Sequence, residues 1–307
     1  MKFKKLIVAS ALAAALPFGA YADDIKLGVS MALFDDNFLT LVRQAMQEKV
    51  AELDDVSAQF EDAKNDVGQQ LQQVESFINQ KLDAIVINPV DTQAVAPIIR
   101  RAEAAGIPLI FVNRRPEATL PEGMAFVGSD SKVAGRLQME YIAEKLGGKG
   151  NVAILMGELS SEATRDRTSG VEEIAAQYPD IKIITKETAK FSRKEGIDVT
   201  NNWLLSGYEI DAIASNNDEM AIGAIMALGP NRLKGVIVGG VDATPDALAF
   251  LDKGMLDVTV FQDAKGQGKA SIETAVKMAK GEAVDKNVMI PYELVSPENY
   301  KEFIGRN

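Results

Sequence analysis

Short runs rich in Val, Ile and Leu alternate with segments whose apolar residues return every three or four positions, from Ile25 almost to the end of the chain. In the first half the runs predict strands at Ile25–Met31, Ala58–Glu61, Ala84–Asn88, Leu109–Val112 and Ala125–Val127. Between them Phe38, Leu41, Val42, Ala45, Met46, Val50 and Leu53 keep a helical spacing, as do Leu71, Val74, Phe77 and Ile78. Each reads as an amphipathic helix laid over a sheet. The second half repeats the scheme, with strands at Val152–Leu155, Lys182–Ile184, Ala212–Ala214, Val236–Val238 and Val258–Phe261. Helical segments follow Glu162, Lys194, Asp218 and Pro245, and a further helix covers Lys265–Lys280. Gly147-Gly148-Lys149-Gly150 marks a turn between a helix and the next strand.

Strands interleaved with helices in this way require a parallel sheet covered on both faces, so the fold class is α/β. Roughly 285 residues lie beyond the N-terminal leader, more than one core usually organises, and two doubly wound parallel-sheet lobes are expected. The two halves show no strong internal identity.

The leader itself carries Lys2, Lys4 and Lys5, an apolar run from Leu6 to Leu16, and Ala20-Tyr21-Ala22, the three regions of a secretory signal. Cleavage after Ala22 would start the mature chain at Asp23 and send it to the periplasm. The run is shorter than the roughly 20 residues a membrane span needs. There is no Cys to carry a lipid or a disulfide.

Net charge narrows the partners. The chain carries -11, and removing three leader lysines gives -11 - 3 = -14, a surface that repels phosphates and excludes nucleic acid as a partner. With 0 His and 0 Cys, the commonest general base, the commonest transition-metal ligands and the thiol nucleophile are missing. An enzyme would have to work with carboxylates, Lys, Ser or Tyr, and neither a cofactor nor a metal is expected.

In open α/β sheets ligands sit beyond the carboxyl ends of the strands. The residues just past those ends here are mostly polar: Phe34-Asp35-Asp36-Asn37-Phe38, then Asn113-Arg114-Arg115-Pro116, Gly157 through Arg167, Asn216-Asn217-Asp218, Asp242 and Gln262. Such a set suits a neutral polyol, whose hydroxyls both donate and accept: carboxylates take the protons while Arg and Asn donate to the lone pairs. Phe38 or Phe191 could cover the C–H face of a ring. Each residue also has a plainer role. Asp218 and Thr244 read better as helix caps than as binders, Asn217 and Asp242 stand evenly between the two, and Phe38 could be core. The coincidence of six strand ends favours binding.

These same residues resemble the periplasmic sugar-binding proteins of ABC transporters, in the ribose, galactose and inositol branch, from Ile25 to about Leu294. The Phe34–Phe38 run is similar to the first-strand loop of galactose/glucose binders, which implies ligand contact by Asp36 and Phe38. Asn113-Arg114 stands where the ribose type has Asp-Arg. In Ala163-Thr164-Arg165-Asp166-Arg167 the second arginine matches the family's ligand-binding one, so Arg167 is the candidate and Arg165 is structural. Phe191, Asn217, Asp242 and Gln262 complete the set that the resemblance implies. Ser161 and Ala163 replace the His and Asp of galactose/glucose binders, and no Asp-rich calcium loop stands near Gly147–Asn151.

The resemblance implies a type I periplasmic binding protein rather than an enzyme. Crossings near Ser129–Asp130, Gln262–Asp263 and Ile290–Pro291 would divide it into one lobe of 23–129 plus 263–290 and another of 130–262 plus 291–307. Myo-inositol is the favoured ligand, with ribose, galactose or glucose as alternatives. The expected partner is a membrane ABC transporter permease, with a chemoreceptor as an alternative reader of the closed form, and the expected state is monomeric. A glycosidase built on Asp36 and Asp242 is the competing enzymatic reading. A sugar-responsive repressor core would need an N-terminal helix-turn-helix where the leader stands.

Overall fold

The computed structural model describes residues 24–307, and the secretory leader read at 1–22 lies outside them. Two parallel sheets organise the chain. The first contains β1 (Ile25–Met31), β2 (Val56–Asp62), β3 (Ala84–Ile87), β4 (Leu109–Val112), β5 (Met124–Gly128) and β11 (Asn287–Met289), in the order β11-β5-β4-β3-β1-β2. The second contains β6 (Lys149–Met156), β7 (Asp180–Thr188), β8 (Ala212–Ser215) and β9 (Ile237–Gly239), in the order β7-β6-β8-β9. β10 (Thr259–Phe261) continues it through parallel bridges from Gly239 to Val258 and from Asp242 to Phe261, and pairs antiparallel with β12 (Glu293–Val295).

Period-two alternation explains the layering. Leu27, Val29 and Met31 face a core under α1 (Asn37–Ala51) and α9 (Ala264–Ala279), while Ile85, Ile87, Leu109 and Phe111 face one under α2 (Val67–Asn79) and α3 (Ala96–Ala105). The second sheet is likewise covered by α4 (Ser131–Lys145) and α5 (Glu162–Ala175) on one face, and by α6 (Arg193–Leu205), α7 (Asp218–Leu233) and α8 (Pro245–Asp252) on the other. α4 and α5 meet backbone to backbone. A Cβ on Gly135 would stand 2.0 Å from the Arg167 carbonyl oxygen, so only glycine lets the helix carrying Arg167 approach this closely.

Among the described residues, eight of the nine α-helices begin on an Asp, Asn, Ser or Thr whose side chain accepts from a first-turn N–H; α3 instead starts after Val95 with Pro97 in its first turn. The chain passes between sheets three times: from β5 into α4, from β10 into α9, and from β11 into β12.

Several boundaries differ from the sequence reading. β2 and β7 are longer than Ala58–Glu61 and Lys182–Ile184, because edge strands keep pairing through polar residues such as Asp62 and Glu187. Lys149 and Gly150 open β6 instead of completing the turn, and Asn88 leaves β3 with its side chain turned inward. Val236 stands outside β9, and Val258 makes only a single bridge before β10.

Candidate functional site

In the first sheet β1 lies between β2 and β3, and in the second β6 lies between β7 and β8. The strand order therefore reverses at the carboxyl ends of β1 and β6, where a crevice opens. Between the two sheets this crevice holds about 350 Å³ of atom-free space, mouth included, at the small end of the roughly 300–1,000 Å³ of ligand pockets. Asp36, Phe38, Asn113 and Arg114 line it from the first sheet, and Arg167, Phe191, Asn217, Asp242 and Gln262 from the second. All nine residues singled out in the sequence thus face one cleft, joined by Ser161, Ala163 and Leu39. Leu39 was missed because an apolar residue in the first turn of a helix carries no signal that separates a cleft wall from the core.

Three of the nine hold a backbone that L-residues rarely adopt: Asn113 at φ 65°, Phe191 at φ 59° and Asp242 at φ 125°, the last followed by Ala243 at φ 51°. Each such residue costs about 1–3 kcal/mol and persists where its surroundings over-determine it. Those surroundings are visible. The Asn113 amide donates to Gln267 Oε1 at 3.1 Å and accepts from Asn88 at 3.3 Å. The Phe191 carbonyl accepts from Asn217 Nδ2 at 3.2 Å, and the Phe191 ring fills the space above Gly157, where a Cβ would stand 2.1 Å from it. Asp242 N–H donates to Val260 O at 2.8 Å, and the next two amides donate to Thr259 Oγ1 and Asp218 Oδ2.

Two buried guanidiniums anchor opposite walls. Arg114 donates to the carbonyls of Pro89 and Val90 and faces Glu158 Oε2 at 3.8 Å. Arg167 donates to Asn216 O at 2.5 Å, Gln262 Oε1 at 2.8 Å and Tyr292 Oη at 3.1 Å, with Asp242 Oδ1 at 3.7 Å. Burial pushes the Asp242 carboxyl well above its ordinary range; Arg167 opposes that shift, while Asp218 and Asp36 reinforce it. Asp36 is also raised by burial, against the Leu39 amide and Arg114.

Capping and cleft lining coincide. Asp36 Oδ1 accepts from Leu39 N–H at 2.8 Å at the start of α1, and Asn217 Oδ1 accepts from Met220 N–H at 3.0 Å at the start of α7. Thr244 caps α8. Asp218, expected as a cap, is not one: fully buried in the first turn of α7, it accepts from Thr259 Oγ1 and from the Thr244 amide and hydroxyl. Arg165 lies off the cleft and donates from the second sheet's side to Thr92 and Glu117 on the first. Thr92 N–H donates back to Ser160 O at 3.0 Å, and Asn65 and Asn37 donate to Glu158 and Glu219 across the same divide. Glu162, at the head of α5, was not anticipated; burial pushes it up to about 7 against the Arg115 amide and Arg167, and its Oε2 has no partner. Among the described residues no three His, Cys, Asp or Glu side chains gather as metal ligands would.

Two doubly wound sheets joined by three crossings, with one small polar cleft between their carboxyl edges, define a two-lobed solute-binding protein. This chain belongs to the periplasmic binding protein family, whose domain model matches residues 27–283. It is 47% identical over 310 residues to the "Putative rhizopine-binding protein" of Rhizobium meliloti, covering 99% of this chain and 100% of that one. The structure of an ABC transporter solute binding protein from Bacillus halodurans with bound myo-inositol is 47% identical, with a TM-score of 0.89 over 94% of this chain and 100% of that one. The Caulobacter myo-inositol binding protein, bound to myo-inositol, is 28% identical, with a TM-score of 0.86 over 94% of this chain and 97% of that one. The relatives bind and transport solutes, and this chain is a binding protein, not an enzyme.

Proposed function

We propose that the protein captures myo-inositol between its lobes in the periplasm and hands it to the permease of an ABC importer. The observation that carries this reading is the convergence of carboxylates, guanidiniums, amides and two phenyl rings from both sheets on one small cleft. A cyclitol presents hydroxyls around its whole rim. Asp36 and Asp242 accept their protons, Arg114, Arg167, Asn113, Asn217 and Gln262 bond the remaining positions, and Phe38 and Phe191 cover the C–H faces. Charge-assisted bonds contribute about 1.5–3 kcal/mol each, so a few reach micromolar affinity, which needs about 8 kcal/mol. The likeness to the myo-inositol-bound Bacillus halodurans protein supports the ligand, and Ser161 and Ala163 at the mouth of α5 speak against an aldohexose.

In this reading the chain divides into lobes of 23–129 plus 263–290 and 130–262 plus 291–307, and the leader is removed after Ala22. Ligand contacts from both lobes favour the closed form, which the permease, and a chemoreceptor where one is present, reads in place of the ligand. The protein acts as a monomer.

The test is a thermal-shift screen of residues 23–307 with myo-inositol, ribose, galactose and glucose, since a ligand bound only by the folded state raises the melting temperature. A rise with myo-inositol alone is expected. A rise with ribose, galactose or glucose instead moves the ligand but keeps the mechanism, and no rise with any polyol overturns the assignment.

A further inference from the structure

Asn307 lies beyond the last strand along the chain and carries no motif, yet its side chain is buried at the second crossing between the sheets. Its Oδ1 accepts from Ala264 N–H at 2.9 Å, and its Nδ2 donates to the carbonyls of Asp242 and Gln262, each at 2.9 Å. Those three groups belong to different parts of the machinery. Asp242 follows β9 and Gln262 follows β10, and both line the cleft; Ala264 opens α9, which packs over the first sheet.

The side chain is held in place by its own segment. Tyr300 and Phe303 are buried, with the Phe303 ring 5.3 Å from Phe261, and the Arg306 guanidinium lies 4.2 Å above the Phe261 ring while donating to Glu293. Lys265 Nζ donates to Gly305 O at 2.8 Å, tying the segment to α9 as well.

We infer that Asn307 is a positioning residue: it fixes the backbone that aims Asp242 and Gln262 into the cleft and couples it to the start of α9. The physical reason lies at Asp242 and Ala243, two successive non-glycine residues at positive φ. Such a backbone relaxes toward ordinary values unless its polar groups are held. The Asp242 amide is held by Val260, whereas its carbonyl is held by Asn307 and by a longer 3.3 Å bond from Gln262 N–H. One acceptor and two donor hydrogens in a single plane are what a carboxamide supplies; a carboxylate of the same shape would set its lone pairs against two carbonyl oxygens. Gln262 also accepts from Arg167, so a shift at the crossing would reach the buried guanidinium on the same wall of the cleft.

This inference rests on the proposed polyol site for its affinity readout but not for its structural one. Wild type, Asn307→Ala and Asn307→Asp are compared first by amide hydrogen exchange without ligand, then by calorimetry with myo-inositol. Faster exchange confined to residues 242–246 and 262–267, with β6 unchanged, is expected in both variants. Affinity should fall about tenfold in Asn307→Ala and further in Asn307→Asp. Unaltered exchange in those two segments, or exchange raised across the whole second lobe with affinity intact, overturns the positioning role. If wild type binds no myo-inositol, the ligand assignment fails, and the exchange data still decide the role of Asn307.

Discussion

The Arg167 guanidinium stands 3.7 Å from the Asp242 carboxylate, and both side chains are almost fully buried. The separation exceeds a hydrogen bond, because Arg167 is committed to Asn216, Gln262 and Tyr292. Asp242 is therefore screened by a cation without being saturated by it, and its oxygens remain able to accept from a ligand hydroxyl. Such a hydroxyl supplies the stabilisation of charge that burial withholds.

Arg167→Met should weaken ligand binding by about 3 kcal/mol, roughly a hundredfold, because it leaves a buried carboxylate uncompensated. Folding stability should fall by a similar ~3 kcal/mol. Calorimetry and urea melts measure the two; an unchanged affinity would remove Arg167 from the site.

Asp36 serves twice, and two substitutions separate its roles. Asn caps helices as well as Asp does, so Asp36→Asn should keep stability while reducing affinity roughly tenfold or more. Asp36→Ala should show the same loss of affinity together with about 1 kcal/mol less stability. Equal melting temperatures for the two variants would show that the bond to Leu39 N–H contributes nothing.

The raised carboxyls set the sign of the pH dependence. Glu162 moves from an ordinary 4.5 to about 7, and Asp36, Asp218 and Asp242 move upward for the same reason, burial. Between the ordinary and the raised value the folded state holds protons that the unfolded state has lost. Their contribution is complete below the ordinary value and disappears as pH rises through the raised one. The ligand-free protein should accordingly melt higher at about pH 5 than at about pH 8, and Glu162→Gln should flatten part of that slope. A melting temperature that climbs between those values would contradict the assignment.

Gly157→Ala places a Cβ against the Phe191 ring and should force that ring from the cleft wall. Overpacking of this kind costs about 1–3 kcal/mol in stability, and affinity should drop with it. A crystal structure of the variant with Phe191 unmoved and binding intact would refute the role given to that contact.

Much of this was legible in the chain because it is local. The period of the apolar residues located β1, β4 and β6 and the helices over them, since each buries its own side chains against a sheet. The three-residue, largely exposed β11 escaped because pairing with β5, not its composition, makes it a strand, and β12 depends in the same way on β10. Of the two readings left open for Asn217, the cap at α7 is seen, and the same residue also lines the cleft where binding is proposed, because helix starts and ligand sites share the same sheet edge. Which of Asn217 and Asp218 would cap was decided by backbone, Asn217 being extended at ψ 172°.

The class of fold, the strand ends that carry polar groups and the residue types suited to a polyol are all written in the chain, because each depends on neighbours along it. The folded arrangement alone brings these ends into one cleft, holds Asn113, Phe191 and Asp242 at positive φ, and lets Asn307 reach across 65 residues to the Asp242 carbonyl. A strained backbone is stable only when distant groups occupy its hydrogen bonds, and no local pattern in a sequence records which distant groups those are.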